Sequence, residues 1–437
     1  MMKSNWISRL DFFKLGFASL TALSFSSVIA RATTTVPSEK KPTKPVIHQA
    51  SSELMAQEMD KYPPGNPHRE YMGWHRVEES GANMGQITSS PLIHQHIYPE
   101  APVFTPDSRF FVYARSTSPD QPVSFWLCET ETWRLFRLTD EHPVTGAVIS
   151  PDGEYFYYVW EKTPDKSILI RKHLWSESRE EWIIADGISN IYWLGTISPD
   201  GRYYWTAFTD VDAMSHIIRF DLLRRTWKII HSGTDIFNAH PQCDPGKGKD
   251  LLIQHNRGGK LNKFKEPNPL IGPEGATLYL IDMHGENYRP LPIGKPFTPK
   301  VQGHQCWLGK TRRMIVALNN DFEIGGKKGN LVAIAEGDEK PTVVAGGKHF
   351  WHVASSADGK FFISDDRDGN IWIGSVKTGK YRKICNSGTI RGAAQYTHSH
   401  PFLSPDCKYA FFNSTATGLP QIYAATVPEE FIESIEI

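Results

Sequence analysis

The sequence predicts an all-β fold, a seven-bladed β-propeller with four antiparallel strands in each blade. A turn of the type Ser-Pro-Asp-Gly, followed by a strand rich in aromatic residues, occurs seven times along the chain. Each copy is followed by a second pair of strand-like segments. The composition, with 34 Gly, 30 Pro and 12% aromatic residues, argues against a long helical protein. Four short strands in every repeat of about 40–50 residues are typical of propeller blades.

The turns define the repeats. Five clear copies lie at 105–108, 150–153, 198–201, 356–359 and 404–407, and two weaker copies lie at 244–246 and 308–310. Proline fixes φ at one position of such a turn, and glycine permits a positive φ at a later one. The step from the fourth copy to the fifth is longer than the others, and the excess is a polar loop at 255–275.

The outer strand pairs are clearest at 124–140, 215–233 and 369–388. The last repeat, at 420–431, is truncated before its final strand. We therefore expect a strand from the N-terminal segment, within 71–77, to complete the last blade and close the ring. A linear solenoid is the alternative fold, because it is also built from stacked repeats.

Three regions are predicted along the chain. Residues 1–32 form an export signal, with a basic start, an apolar run and an Ala-Arg-Ala cleavage pattern. Residues 33–52, rich in Pro, Lys, Thr and Ser, form a disordered tether. Residues 53–437 form a single propeller domain. The protein is therefore expected to be periplasmic or secreted, by either the general or the twin-arginine route, and an uncleaved membrane anchor is the alternative.

Composition excludes several classes of protein. The 48 Lys and Arg balance the 48 Asp and Glu, so bulk positive charge for nucleic-acid binding is absent. Without the predicted signal, 44 basic residues face 47 acidic ones. A mean hydropathy of −0.40 excludes a multi-span membrane protein. The five cysteines contain no Cys-x-x-Cys pair and fit no compact disulfide scaffold. We expect a monomer that does not bind membranes after signal removal.

Histidines recur at one position of the repeat, five places before the turn proline or its equivalent. In the last four repeats this position is occupied by His240, His304, His352 and His400. In the first three repeats it is occupied by Ala101, Gly146 and Leu194. Equivalent positions of propeller blades converge at the central channel, so we expect a cluster of imidazoles there. Such a cluster is typical of metal binding or of acid–base catalysis. For any single histidine, a hydrogen-bonded core residue is the alternative.

A second histidine pattern lies in the last repeat. His398 and His400 are two residues apart, a spacing that directs both side chains to one face of a strand, and Gln395 lies just upstream. Together with His304 they offer nitrogen and oxygen ligands, which suit Mn, Fe, Co or Ni. Cys306, two residues after His304, would instead favour zinc as a thiolate. The predicted metal ligands are therefore His304, Gln395, His398 and His400, and the metal is Mn, Fe, Co or Ni or, if Cys306 takes part, zinc.

Three short segments carry a family resemblance. The segment Q-Y-T-H-S-H-P-F-L-S-P-D at 395–406 is similar to the Q-x-T-H-P-H-P-x-F-x-P-D segment of the oligogalacturonate lyases, with Ser399 where that family usually has proline. The segment A-H-P at 239–241 resembles the family's G-H-P, and G-H-Q-C-W at 303–307 resembles its T-H-E-F-W. These lyases are seven-bladed propellers that cleave pectin fragments.

The resemblance implies roles for particular residues. It implies that the four predicted ligands hold manganese and that His240 is the general base. It also implies an assisting arginine on the preceding strand, for which Arg219 is the candidate, although the family position alternatively falls on His216. His96, His352 and Arg257 are candidates for binding substrate carboxylates or hydroxyls.

The implied chemistry is consistent with these residue types. β-Elimination of a uronate removes the C5 proton, which is acidified when a divalent metal neutralises the adjacent carboxylate. A neutral imidazole near pH 7 accepts that proton. The predicted function is therefore a lyase of uronate-containing glycans, with oligogalacturonate as the first substrate. One alternative is an ulvan-lyase-type propeller with structural zinc and the His94/His96 pair at its site. The other is a non-enzymatic binding propeller of the TolB type.

Overall fold

A computed structural model describes residues 57, 61–62, 66–119, 121–262, 267–389 and 394–437. The predicted export signal at 1–32 and the predicted tether at 33–52 lie outside this part of the chain. No described helix is long and apolar enough to cross a membrane.

The described chain is almost entirely β-structure. Strands β1–β7 are His68–Arg69, Trp74–Arg76, Asn83–Gln86, Ile93–His96, Phe110–Ser116, Ser124–Glu129 and Arg134–Arg137. Strands β8–β15 are Val144–Ile149, Tyr155–Thr163, Lys166–His173, Arg179–Asp186, Ile191–Ile197, Tyr203–Thr209, Ser215–Asp221 and Thr226–Gly233. Strands β16–β23 are Gln242–Cys243, Asp250–His255, Thr277–Asp282, Arg289–Pro290, Val301–Trp307, Arg313–Ile324, Lys327–Ala335 and Thr342–Ala345. Strands β24–β30 are Phe350–Ser355, Phe361–Asp366, Asn370–Ser375, Tyr381–Asn386, Phe402–Leu403, Tyr409–Ser414 and Gln421–Thr426. A 3₁₀ turn at Gln395–Thr397 precedes β28, and helix α1, Glu429–Glu436, ends the chain.

The strands form six sheets within the described residues. Their orders are β1-β7-β6-β5-β4, β11-β10-β9-β8-β12-β13-β14-β15, β16-β17-β18-β19, β20-β21-β22-β23, β24-β25-β26-β27 and β2-β3-β30-β29-β28. In the eight-stranded sheet, two antiparallel runs of four strands are joined by a single parallel pair, Leu194 with Ala147. Repeated four-stranded antiparallel units confirm the predicted all-β propeller class.

The N-terminal segment completes the last sheet, as predicted, but with a different strand. β3 pairs with β30, and the predicted region contributes only β2, which lies outside β3 at the sheet edge. All three residues of β2 are exposed, whereas Gly85 in the middle of β3 is buried. The sequence of β3, Asn-Met-Gly-Gln, has no apolar alternation, so its pattern does not predict a strand.

The ring closes through packing of its first and last sheets. The ring centroids of Phe111 in β5 and Phe411 in β29 are 4.6 Å apart, and both side chains are fully buried in one hydrophobic cluster. The last turn also contacts the first, because the backbone N–H of Asp406 donates to Ser108 Oγ at 2.9 Å. Contact between the first and last repeats is incompatible with a linear solenoid, so that alternative is wrong.

The predicted turns connect the first two strands of their units. In the turn at 150–153 the hydroxyl of Ser150 donates to the carboxylate of Asp152, and Gly153 has φ of +76°. The first strand of each unit begins near the histidine position and ends at such a turn. The histidines and the turns therefore lie at opposite ends of these strands. We call the end that carries the histidines the histidine face.

Candidate active site and metal centre

The backbone of the innermost strands breaks at the histidine positions. In β20 the pairing register shifts between Val301 and Gln305, around His304, and in β24 it shifts between Phe350 and Val353, around His352. His240 and His400 have φ of +44° and +41°, and each precedes a two-residue strand. Bulges and left-handed residues re-aim side chains at the edge of a sheet. A bulge or a left-handed residue thus marks each of these four histidine positions.

Four histidines converge into one group, which we call the histidine cluster: His304, His352, His398 and His400. The His352 ring centroid lies 4.3 Å from that of His304, 4.2 Å from His400 and 5.3 Å from His398. The ligand nitrogens of His352, His398 and His400 lie within 4.8 Å of one another. His352, predicted as a substrate-binding residue, therefore stands at the centre of the candidate metal centre.

A carboxylate orients His352. Asp365 of β25 contacts His352 Nδ1 through Oδ2 at 2.8 Å and through Oδ1 at 3.1 Å, and it accepts a further hydrogen bond from the Ser399 hydroxyl. His352 Nε2 is buried and has no hydrogen-bond partner among the described residues. A carboxylate on one imidazole nitrogen and a vacant lone pair on the other is the usual arrangement of a metal-binding histidine.

Burial keeps these imidazoles neutral. It lowers the pKa of His304, His352 and His400 well below 6.5, and the proximity of the other histidines lowers it further. A metal ligand must be deprotonated, so neutral rings are ready to bind a cation near neutral pH. Burial also raises the pKa of Asp365 to about 7, despite the hydrogen bond from Ser399.

His240 is paired with a different carboxylate. Its Nδ1 lies 2.5 Å from Glu100 Oε1, and both side chains are buried. The ring of Tyr98 lies between His240 and the histidine cluster, with centroids 5.3 Å from His240 and 4.9 Å from His400. The Tyr98 hydroxyl contacts His304 Nδ1 at 3.1 Å, and burial raises the pKa of this phenol well above 10. His240 and the cluster thus flank one tyrosine.

The remaining two predicted residues of this region also lie at the cluster. His96 Nε2 contacts the backbone oxygen of Ser399 at 3.4 Å, and burial lowers the pKa of His96 to about 3. Gln395 Nε2 contacts His400 Nε2 at 3.1 Å, while Gln395 Oε1 has no hydrogen-bond partner among the described residues. The amide oxygen has lone pairs and the NH2 group only donates, so Gln395 can face a cation only through Oε1.

A concavity opens beside the cluster. We call it the histidine cleft. Its lining includes His96, Tyr98, Thr145, Trp193, Gln395 and His400. The cleft connects the buried histidines with the surface of the histidine face.

The two predicted arginines do not join the site. Arg219, on β14, donates to the backbone oxygen of Met283 at 3.1 Å and contacts His284 Nδ1 at 2.6 Å. Met283 and His284 follow β18 at the turn end of the sheet, so Arg219 reaches away from His240. His216, at the beginning of β14, is nearer the histidine face but is bound to Asp210 at 3.0 Å. The assisting role expected of Arg219 is therefore not supported by its position.

The guanidinium of Arg257 is held by backbone oxygens. Its Nε, NH1 and NH2 groups donate to the backbone oxygens of Gly275, Lys295 and Glu274 at 2.8–3.0 Å. These bonds tie the polar loop after β17 together and occupy the guanidinium donors. These contacts place Arg257 within the loop, and its binding of substrate stays a prediction.

Sequence reasoning missed three residues of the site: Glu100, Tyr98 and Asp365. Glu100 directly precedes Ala101, the histidine-equivalent position of the first repeat, so the repeat register gave a usable signal for its location. Tyr98 lies two residues earlier and Asp365 lies at the end of a second strand, where no repeated polar residue marks it. Their roles depend on contacts between distant repeats, which the register does not encode.

Comparison with known proteins identifies the family. No protein-family model matches the chain. An oligogalacturonate lyase of Dickeya dadantii is 22% identical over 404 residues, covering 82% of this chain and 96% of that protein. An oligogalacturonide lyase of Pectobacterium atrosepticum is 30% identical over 390 residues, covering 80% of this chain and 94% of that protein. The chain belongs to the oligogalacturonate lyase family.

Solved structures of this lyase family share the fold. An oligogalacturonate lyase in complex with manganese has a TM-score of 0.66 and 17% identity, covering 84% of this chain and 100% of that one. An oligogalacturonate lyase from Vibrio parahaemolyticus has a TM-score of 0.65 and 19% identity, with the same coverage. At these identities the match extends the family assignment to the propeller architecture.

Proposed function

We propose that this protein cleaves oligogalacturonides, the soluble fragments of pectin, by β-elimination. The observation that carries the proposal is the arrangement of His240 and Glu100 on one side of Tyr98 and the histidine cluster on the other, in a member of the oligogalacturonate lyase family. A base opposite a cluster of neutral imidazoles suits removal of a proton next to a carboxylate. Family membership also favours an enzyme over a binding-only propeller.

We propose seven blades for the ring. The eight-stranded sheet counts as two blades, β8–β11 and β12–β15, because one parallel pair is a minor link between two complete antiparallel units. The other five sheets each supply one blade, and β3 supplies the fourth strand of the last. This count agrees with the seven turns of the sequence.

His240 is the proposed base. A carboxylate only accepts hydrogen bonds when ionised, so Glu100 holds the proton of His240 on Nδ1. The lone pair on Nε2 is then free to take the C5 proton of a uronate. Tyr98 retains its phenolic proton near neutral pH because burial raises its pKa, and it keeps His304 in place through the contact with Nδ1. The C4–O bond then breaks as the C4–C5 double bond forms, and the leaving oxygen takes a proton from water.

The cluster fits a divalent cation. His352, His398 and His400 are the proposed ligands, supported by the short separation of their nitrogens and by the vacant Nε2 of His352. Gln395 and His304 border them. When bound, the cation would act as a Lewis acid that neutralises the substrate carboxylate and makes the C5 proton more acidic.

Manganese is the proposed metal, because an oligogalacturonate lyase that shares this fold was solved in complex with manganese and because no thiolate is among the proposed ligands. Cys306 belongs to the hydrophobic cluster formed with Leu308 and Val353, and burial raises the pKa of its thiol. His94, which the zinc alternative would use, contacts the Ser90 hydroxyl at 3.1 Å instead. Neither residue supports the zinc-containing alternative.

We propose that the protein is exported and acts as a monomer in the periplasm or outside the cell. The basic and apolar pattern of residues 1–32 supports export. Cell fractionation and the N-terminal sequence of the mature protein test this: cleavage after Ala32 is expected, and an intact N-terminus in the cytoplasm would contradict it.

A metal-dependent absorbance assay tests the proposed function. Purified protein is treated with chelator and supplied with oligogalacturonides, and the ultraviolet absorbance of the conjugated product is followed before and after addition of Mn²⁺. We expect activity only with metal. His240→Ala should lower kcat by roughly 10²- to 10⁴-fold, the usual contribution of a general base. His173→Ala, on the outer part of the second repeat, serves as the matched control. Absence of product with metal restored would refute the proposal.

A further inference from the structure

A second group of reactive side chains lies on strands β13–β15, apart from the histidine cluster. In the register of this sheet, Phe208 of β13 pairs with His216 of β14, and His216 pairs with Ser232 of β15. Residues directly opposite each other on antiparallel strands share one face of the sheet. The phenyl, imidazole and hydroxyl groups of these three residues therefore lie side by side on one face.

The imidazole of His216 joins a serine to an aspartate. Its Nε2 lies 3.0 Å from Asp210 Oδ2, and its Nδ1 lies 2.7 Å from Ser232 Oγ. An ionised carboxylate only accepts hydrogen bonds, so Nε2 carries the ring proton and the lone pair of Nδ1 accepts from the serine hydroxyl. These are the contacts of a Ser-His-Asp triad, in which the histidine activates the hydroxyl as a base. The two ring nitrogens exchange their usual places, which leaves the acid–base chemistry the same.

The supporting carboxylate is held in place by the turn that follows β13. Asp210 Oδ1 accepts from the backbone N–H groups of Asp212 and Met214, each at 2.9 Å, and the Asp210 N–H donates to the backbone oxygen of Met214 at 2.9 Å. Burial alone would raise the pKa of Asp210, but the hydrogen bond from His216 and those from the backbone lower it overall. Asp210 is therefore ionised near neutral pH and orients the imidazole, as the third member of a triad does.

The serine is open to solvent, whereas the base beside it is largely enclosed. Ser232 is exposed, but only 12% of the His216 side chain is exposed, and the Phe208 ring stacks on it with centroids 4.7 Å apart. A fixed base next to an accessible hydroxyl is what nucleophilic catalysis requires. Thr234, two residues after Ser232, has a backbone N–H without a hydrogen-bond partner among the described residues. This N–H is a candidate donor to the oxyanion of a tetrahedral intermediate.

We propose that Asp210, His216 and Ser232 form a second catalytic site, which hydrolyses carboxylic esters by acyl transfer to Ser232. The serine hydroxyl attacks the ester carbonyl carbon while Nδ1 of His216 accepts its proton. The C–O bond to the alcohol then breaks, and His216 gives that proton to the leaving oxygen. Water attacks the acyl-serine in the same way, which yields the carboxylic acid and restores the hydroxyl. The site is independent of the lyase function, because it uses no residue of the histidine cluster.

Hydrolysis of p-nitrophenyl acetate, followed by the absorbance of p-nitrophenolate, tests the proposal. The full-length protein should hydrolyse this ester at the same rate with and without chelator. Ser232→Ala should lower kcat/KM by at least about 10²-fold, because base catalysis by a positioned imidazole contributes that much and acts here through the serine. Metal-dependent cleavage of oligogalacturonides should be the same in Ser232→Ala as in the unmodified protein. Ser178→Ala is the matched control, since this exposed serine has a hydroxyl without a hydrogen-bond partner among the described residues.

Covalent labelling locates the nucleophile independently of turnover. A fluorophosphonate transfers its phosphonyl group to an activated serine with loss of fluoride, and peptide mass spectrometry identifies the labelled residue. We expect label on Ser232, its loss in His216→Ala, and its partial retention in Asp210→Glu, which keeps the charge. An unlabelled Ser232 would overturn the proposal. Hydrolysis of p-nitrophenyl acetate that is equal in Ser232→Ala and in the unmodified protein would do the same, and neither result would change the assignment of the lyase site.

Discussion

The contact at Nδ1 of His352 leaves Nε2 available to bind a cation. Asp365 occupies Nδ1, and Nε2 points into the group formed with His398 and His400. Ser399, which replaces the proline usual in the family, strengthens this arrangement by donating to Asp365. The imidazole is therefore fixed in orientation before any cation binds, so little rotamer entropy remains to be lost on binding.

Removing the supporting carboxylate should weaken metal binding. We expect Asp365→Asn to reduce Mn²⁺ affinity by about 10- to 100-fold, because outer-shell partners of metal-binding histidines have effects of that size. Ser399→Ala, which leaves the carboxylate in place, should have a smaller effect. Isothermal titration calorimetry measures both. An Asp365→Asn variant with unchanged Mn²⁺ affinity would show that His352 is not a ligand.

Glu100 should set the proton position on His240. We expect Glu100→Gln to lower kcat by about 10²-fold or more with little change in KM, since loss of the correct tautomer in a buried imidazole–carboxylate pair costs up to about 10⁴-fold. Glu100→Asp, which keeps the charge, should recover part of the activity and restore the pH profile. Steady-state kinetics over a range of pH provide the measurement. Equal losses in the Gln and Asp variants would indicate a packing role instead.

The sequence predicted where histidines converge but not how each is used. Regular spacing from the turns placed His240, His304, His352 and His400 on one face, because equivalent positions of a closed ring must meet. Whether a histidine is a metal ligand or a substrate-binding residue depends on small differences in side-chain position between repeats. His352 was expected to bind substrate, and its proposed role as a ligand rests on its contact with Asp365 and its proximity to His398.

At the scale of the strand, the first strand of the fourth and last repeats is reduced to two residues. Left-handed backbone at His240 and His400 lies two residues before each of these strands, so the regular strand conformation begins only after the histidine. For a non-glycine residue this conformation costs about 1–2 kcal/mol. It persists because the flanking strands and the adjacent turn fix the chain on both sides.

Alanine and glycine substitutions should separate strain from side-chain loss. At position 400, the Gly variant should be about 1 kcal/mol more stable than the Ala variant, because glycine adopts positive φ without the Cβ clash. At position 304, where φ is not positive, Ala should be more stable than Gly by about 0.5–1 kcal/mol. Urea unfolding of the four variants gives these differences. If the Ala variant is more stable than the Gly variant at both positions, the backbone at His400 is not strained.

Strand prediction succeeded where aromatic alternation was strong and failed at the ring closure. β5 and β13 are long, aromatic and entirely buried, so their pattern is unambiguous. β3 has a single large apolar residue, Met84, and is a strand only because β30 presents an unpaired edge. Tertiary pairing therefore overrides local propensity at that site.

At the scale of the whole molecule, a buried ion pair fastens the N-terminal segment to the first blade. Arg115 of β5 is fully buried, donates to Glu70 at 2.9 Å and stacks on Trp126 at 3.8 Å. Glu70 also accepts from the backbone N–H groups of Ser89 and Ser90, in the link between the last blade and the first. The pair therefore holds together the segment at which the ring closes.

Loss of this pair should destabilise the protein in a pH-dependent way. Burial alone would raise the pKa of Glu70, but the hydrogen bond with His68 and the charges of His94 and Arg115 lower it below 4.5 overall. The stabilisation is thus present above pH 4.5 and is lost as the pH falls towards the lower folded pKa. Glu70→Gln should cost about 3–5 kcal/mol near neutral pH and less in acid.

Urea unfolding at neutral and acidic pH measures this effect. The exposed pair of Lys162 and Glu181 supplies the control, because Glu181→Gln should cost no more than about 1 kcal/mol. A Glu70→Gln variant whose loss of stability is the same at both pH values would contradict the pH argument.

The histidine face of the ring serves one proposed reaction, which is elimination rather than hydrolysis of a uronate chain. Mass spectrometry of the products from a single defined oligogalacturonide tests it most directly. Elimination adds no water, so we expect the masses of the two products to sum to the mass of the substrate. Product masses that sum to the substrate plus one water would contradict the account.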